Sequence, residues 1–401
     1  MRHRGDFALF AWANGITQMG TQVTVVALPL TALFTLDAGA FDLGLLSAAQ
    51  MLAFLLIGLP AGVWVDRSRR RPIIIWADVV RGAALLSVPV AAWLGVLTLP
   101  QLYVVALVLG AGTVFFDVAH MSLLPAIVPK ERLERGNGVL EITKNVSLLA
   151  GPGVGGWAVA ALTAPIALLA DAVSYLVSAL LLAGVRAEET VRRSERSLRH
   201  EVVEGLRFVM GEPVLRRIAA GGALAMTANS ICLVGLPLYL VKELGVGSAQ
   251  YGLLLSAAAV GSLAGAALVA RVTARFGTGR TLYGSAALAT VLYLPALATG
   301  PGWRLLVFPV AASLFGVAGA IFGIAQLSYR QRITPGHLLG RVNASMRFLM
   351  WGVVPLGGLA GGALGEWLGG YAVFAAGIAL LGLSHLAVVT APAIMRTAAT
   401  P

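Results

Sequence analysis

Apolar blocks long enough to cross a bilayer recur along this chain, and the polar segments between them hold almost all of its arginines. A helix needs about 20 apolar residues to span the hydrocarbon core. Blocks of that kind lie near 7–35, 43–64, 73–96, 100–123, 138–161, 165–185, 218–241, 250–270, 280–299, 303–327, 341–365 and 370–394. The pattern predicts an all-α membrane protein with twelve transmembrane helices. With 58% hydrophobic and 12% charged residues, the chain cannot cover a water-exposed surface of its size. A soluble fold, a disordered chain and a secreted disulfide scaffold are thereby excluded. The single cysteine, Cys232, cannot form an internal disulfide. Met1-Arg2-His3-Arg4 looks like the start of a signal peptide, but the apolar stretch behind it runs to about Leu36, which is spanning length, so it reads as the first helix.

The net charge of +11 would suggest nucleic acid in a soluble domain, but here its placement decides the reading. With the N-terminus inside, the inner segments hold 24 of the 29 lysines and arginines, and the outer loops hold only Lys242 and Arg304. Arg81, Lys144 and Arg347 fall within spans. That asymmetry predicts both termini in the cytoplasm and an even number of crossings of the plasma membrane.

The longest polar stretch, 186–217, separates a first half, 1–185, from a second, 218–401. Its section 198–209 has apolar residues at helical spacing with basic ones between, as in an amphipathic linker lying on the inner leaflet. A solvated tether is the alternative. The halves also repeat. A shift of 206 places Ile127 on Ile333, Pro129 on Pro335, Arg135 on Arg341, Asn137 on Asn343, and Gly151, Gly155 and Gly156 on Gly357, Gly361 and Gly362. Two six-helix halves in one orientation suggest a transporter whose site lies at the repeat interface.

Two motifs carry a family resemblance. Gly62, Asp66, Arg67, Arg70 and Arg71, between the second and third spans, resemble the signature loop of the major facilitator superfamily, with Arg69 where that family has a glycine. Gly138, Ser147, Gly151, Pro152, Gly155 and Gly156 on the fifth span resemble the antiporter signature of its drug-exporting members, with Ser147 at a glycine position. The stretches 124–141, 168–182 and 330–362 are similar to its twelve-helix efflux branch, which includes macrolide and enterobactin exporters. The resemblance implies two pseudo-symmetric six-helix bundles and a cytoplasmic gate. In that gate Asp66 would face the start of the eleventh helix, and Arg70 would pair with a carboxylate on the fourth, for which Asp117 is the candidate. Gly151-Pro152-Gly153-Val154-Gly155-Gly156 also satisfies G-x-G-x-x-G, but it follows no strand, so it does not read as a dinucleotide loop.

Charges inside spans are costly and are either paired or functional. Asp78 and Arg81, three apart, read as a structural pair. Asp117 and His120 share a face of the fourth span; His120 is either a proton carrier or a packed neutral ring. Glu141 and Lys144 are three apart on the fifth span. The repeat places Glu141 on Arg347, so either these two form a gate or each pairs within its own half. Asp171 reads as hydrogen-bonded and structural, with proton carriage as its alternative. Asn14, Thr17, Gln18 and Thr21, at i, i+3, i+4 and i+7, form one polar stripe on the first span. In the superfamily, helices one, four, seven and ten line the cavity, so this stripe, Asn229 and Gln326 are its candidate lining.

These features predict a transporter and not an enzyme. The expected function is proton-coupled efflux of small amphipathic molecules such as antibiotics by alternating access, with a uniporter or nutrient or siderophore importer, and a non-transporting membrane sensor, as the rivals. No cofactor, metal or nucleic acid is expected. The expected partners are a small-molecule substrate and the bilayer, with the monomer as the working unit.

Overall fold

The computed structural model of the chain describes residues 2–129, 132–186, 198–335 and 338–389, and the side chains of Gly62 and Asp66 lie outside what it describes. Among the described residues the structure is helical and has no strand. The first half contains α1 (Arg2–Thr35), α2 (Ala40–Asp66), α3 (Arg70–Trp93), α4 (Leu99–Ile127), α5 (Leu133–Leu162) and α6 (Ala164–Gly184). Then come α7 (Leu198–Gly211), α8 (Pro213–Leu236), α9 (Ser248–Tyr293), α10 (Val307–Ile333), α11 (Leu339–Trp351) and α12 (Val354–Val389).

Ten helical stretches are long and apolar enough to cross a membrane. Two of them run to 51 and 47 residues, each more than twice the crossing length, and each contains a glycine with non-helical backbone. Gly277 (φ 76°) and Gly369 (φ 79°) take the left-handed conformation that side chains disfavour. They fall in the gaps between the apolar blocks 250–270 and 280–299 and between 341–365 and 370–394, and the expectation of twelve crossings rests on counting each of these stretches as two. After Gly369 the helix restarts with a carboxylate cap. Glu243 accepts the backbone N–H groups of Gly370 and of Tyr371, the latter at 3.2 Å, which satisfies donors that a helix N-terminus leaves open.

The chain forms two compact units. One is Met1–Glu195 with Gly247–Leu253, and the other is Arg196–Val246 with Leu254–Pro401. In the first unit α6 packs against α1, α3 and α5, and α4 packs against α2 and α3. Its apolar core gathers Phe10, Ile74, Phe116, Leu123 and Leu182, all buried. In the second, α8 packs along α12, and a separate core joins Val209, Leu215, Ile218, Leu282, Val342 and Met346.

The helix expected as an amphipathic linker packs one face on the second unit. Val209 of α7 is fully buried in the second unit's core, and Gly205 sits so close to the Arg341 carbonyl and Ser345 that a methyl there would overlap both. Glu204 and Arg341 form an ion pair across the contact. Sequence periodicity identified the apolar face of this helix, but α8 and α11 are what cover it.

Candidate functional site

The signature loop turns without a glycine. Arg69 has φ −69° and ψ 126°, an extended conformation open to any residue, so arginine at the glycine position costs nothing in the backbone. Arg70 opens α3, and Arg67 is exposed. Arg71 reaches across to the end of α6, where its Nε donates to the Leu182 carbonyl at 3.0 Å and its terminal nitrogen to that of Ala183. A cation on the last carbonyls of a helix satisfies orphan acceptors and complements the dipole. Arg71 therefore fastens α3 to α6. Asp117 stands half-buried on α4, three residues before His120.

The glycines of α5 are a packing face toward α1. A methyl at Gly151 would overlap the Gln22 side chain, and one at Gly155 would stand 3.0 Å from the Val23 Cα. Ser147 and Pro152 are buried in the same helix. The second unit repeats the arrangement. Gly357 meets Thr227 and Ser230, and Gly361 meets Ile231 and Val234, all four on α8. The repeat seen in the letters is thus a repeated helix contact, in which small residues let backbones approach. Gly156 packs on Gly252, inside the first unit. Gly138 has open space where a side chain would go, so that member of the motif is not a packing residue.

The polar stripe of α1 turns in part toward α6. Thr21 Oγ1 lies 3.1 Å from the Tyr175 hydroxyl, and Asn14 and Thr17 are buried. Gln18 is half-buried. One turn beyond Thr21, Thr24 donates to Asp171 Oδ2, and Ser174 donates to Asp171 Oδ1 at 2.8 Å. Asp171 is hydrogen-bonded as expected, but its partners on two helices make it a junction.

Asp78 and Arg81 form the expected pair, and both are buried. Ser178 of α6 donates to Asp78 Oδ2 at 2.6 Å, and Arg81 donates to Thr113 Oγ1 of α4 at 3.3 Å. The guanidinium carbon lies 4.5 Å from the Phe116 ring centroid and 4.3 Å from that of Tyr175, so both rings stabilise the cation. His120 is stacked between Phe10 and Phe116, at 4.3 and 5.2 Å. Its Nε2 is buried without a hydrogen-bond partner among the described residues.

Thr24, Ser174, Tyr175 and Ser178 were not singled out from the sequence. A signal was present, because Asp171, Ser174, Tyr175 and Ser178 sit at i, i+3, i+4 and i+7, the same spacing as the stripe on α1. The remaining candidates are dispersed. Glu141 and Lys144 pair at 3.5 Å on the exposed face of α5. Arg347 lies over Trp351, with its guanidinium carbon 5.9 Å from the ring. Asn229 is exposed on α8, and Gln326 of α10 has a buried Oε1 without a hydrogen-bond partner.

Helices of crossing length and a duplicated glycine contact are those of a multi-pass helical membrane protein. Comparison with known proteins gives the family. The model of the Major Facilitator Superfamily matches residues 10–354 and, in a second match, 218–400. The chain belongs to that superfamily, and it is a transporter and not an enzyme. It is 29% identical over 396 residues to the multidrug efflux pump Tap of Mycolicibacterium fortuitum, covering 93% of this chain and 92% of that protein. It is 26% identical over 303 residues to the enterobactin exporter EntS of Escherichia coli, covering 74% of this chain and 70% of the exporter. Among solved structures, a bacterial homologue of the iron transporter ferroportin in its inward-facing state superposes with a TM-score of 0.75 at 18% identity, over 96% of this chain and 99% of the other, a likeness of fold.

Proposed function

We propose that this transporter is a proton-coupled exporter of small amphipathic molecules, antibiotics among them, with both termini in the cytoplasm of the cell that carries it. The observation that carries this reading is the glycine and proline face of α5 laid on α1, where Gly151 and Gly155 admit Gln22 and Val23. That face belongs to the segment resembling the antiporter signature of drug exporters. The near full-length likeness to an efflux pump supports it.

In this mechanism two six-helix bundles rock about a shared centre and expose it to each side in turn. Substrate favours one orientation and protonation of a buried acid favours the other, so the two ligands exchange through their differential affinities. Gln18, on the polar stripe of α1, would offer a hydrogen bond to the polar edge of a substrate.

The test is transport in inverted membrane vesicles with a panel of antibiotics and dyes, with and without an imposed pH gradient. Gradient-dependent accumulation inside the vesicles is expected. Accumulation that ignores the gradient would point to facilitated passage and end the antiport reading.

A further inference from the structure

The interior of the first unit holds two carboxylates and one guanidinium. Asp78, Arg81 and Asp171 have relative exposures of 0%, 2% and 0%. Arg81 is committed to Asp78 through an ion pair, and its plane is held against Phe116 and Tyr175. Among the described residues, Asp171 receives hydroxyl donors, from Thr24 and Ser174. An ionised carboxylate closed away from water with two neutral donors is costly, whereas a protonated one is not. Serine and threonine hydroxyls both donate and accept, so this setting can satisfy Asp171 with its proton or without it. Arg81 also keeps one donor in reserve, because its Nε is buried with no acceptor among the described residues.

The charged and titratable surroundings of Asp171 are few. From α3 come Asp78 and Arg81, and from α6 itself Tyr175. From α4, His120 lies beside Arg81, and Asp117 is three residues before it. Within its span α1 supplies no charged or titratable group beyond Asp6. On α5, Glu141 and Lys144 are exposed and paired with each other.

We propose that Asp171 is the carboxyl that binds and releases the coupling proton, with Arg81 as its switching partner. This rests on the proton-coupled reading above. With the proton on a carboxylate oxygen of Asp171, Arg81 belongs wholly to Asp78 and the cluster is neutral. When the proton leaves to water, the new carboxylate draws the spare Arg81 donor, and the cation is shared between two acids. The Thr24 or Ser174 hydroxyl that accepted from the protonated acid turns to donate to the carboxylate. The full burial of Asp171 requires the site to open during the cycle, which ties proton exchange to conformational change. Helix α1 registers the event directly. Gly20 sits so close to Asp171 and Ser174 that a methyl would overlap both. Thr21 and Thr24 fasten α1 to Tyr175 and Asp171. The helix that carries Asn14 and Gln18 is therefore held by hydrogen bonds that change when the proton moves.

The experiment compares wild type with Asp171→Asn in proteoliposomes, measuring dye accumulation driven by a pH gradient and dye counterflow at several pH values without a gradient. Asparagine keeps the shape and hydrogen bonding of the neutral acid. Loss of gradient-driven accumulation, with counterflow no longer dependent on pH, is expected. A purely structural Asp171 would leave both readouts as in wild type, and that result overturns the proposal. If wild type itself ignores the gradient, the antiport reading falls with it, and the wild-type arm alone shows this. Should the variant fail to fold, Thr24→Val keeps the carboxylate. It should move the pH midpoint of counterflow by about one unit, the worth of a hydrogen bond to a charged group. An unmoved midpoint overturns the proposal equally.

Discussion

Replacing Arg81 by methionine removes the cation from a site that no water reaches. Asp78 would be left with the Ser178 hydroxyl as its one remaining partner among those described. Breaking a buried pair from one side costs about 3–5 kcal/mol, because the other charge stays behind uncompensated. The two ring contacts, at 4.3 and 4.5 Å, are lost as well, and each desolvated cation–π contact is worth up to about 2 kcal/mol. These terms overlap, so the upper part of the 3–5 kcal/mol range is the expectation for Arg81→Met. The double variant Asp78→Leu with Arg81→Met removes both charges and fills the space with apolar atoms. It should recover most of the loss, since apolar replacement of a buried pair is often neutral or stabilising by about 1–4 kcal/mol. The assay is unfolding of purified protein in detergent, followed by tryptophan fluorescence, for wild type, both singles and the double. If Arg81→Met unfolds at the wild-type midpoint, or the double is no more stable than the single, the pair is not closed off from water as described.

Three further outcomes follow from particular contacts. Gly151→Val should cost about 1–3 kcal/mol or prevent assembly, since its side chain would occupy the place of Gln22, whereas Gly138→Ala, with open space around it, should leave the unfolding midpoint unchanged. Arg71→Ala should free the Leu182 and Ala183 carbonyls and cost about 1 kcal/mol, seen as faster hydrogen exchange in the last turn of α6 than in its middle. Gly205→Leu should lift α7 from Arg341 and Ser345 and expose its amides to exchange, while Glu204→Gln, which removes one half-exposed ion pair, should cost under about 1 kcal/mol.

The sequence by itself determined an all-helical membrane chain, its internal repeat and, Gly138 apart, glycines of α5 that pack closely. Each of these is written in local order, as an apolar run, a period or an offset. The pairing of Asp78 with Arg81 and of Glu141 with Lys144 was legible for the same reason, because three residues along a helix is one turn. What a side chain meets on another helix is not local. No spacing along the chain announces that Arg71 caps α6, that α7 docks on α11, or that the stripe on α1 is answered by a second stripe on α6. Such contacts depend on which helices become neighbours and how each is rotated about its axis. Packing of the whole unit sets both, and only tertiary structure could bring Thr24 to Asp171 across 147 residues of chain.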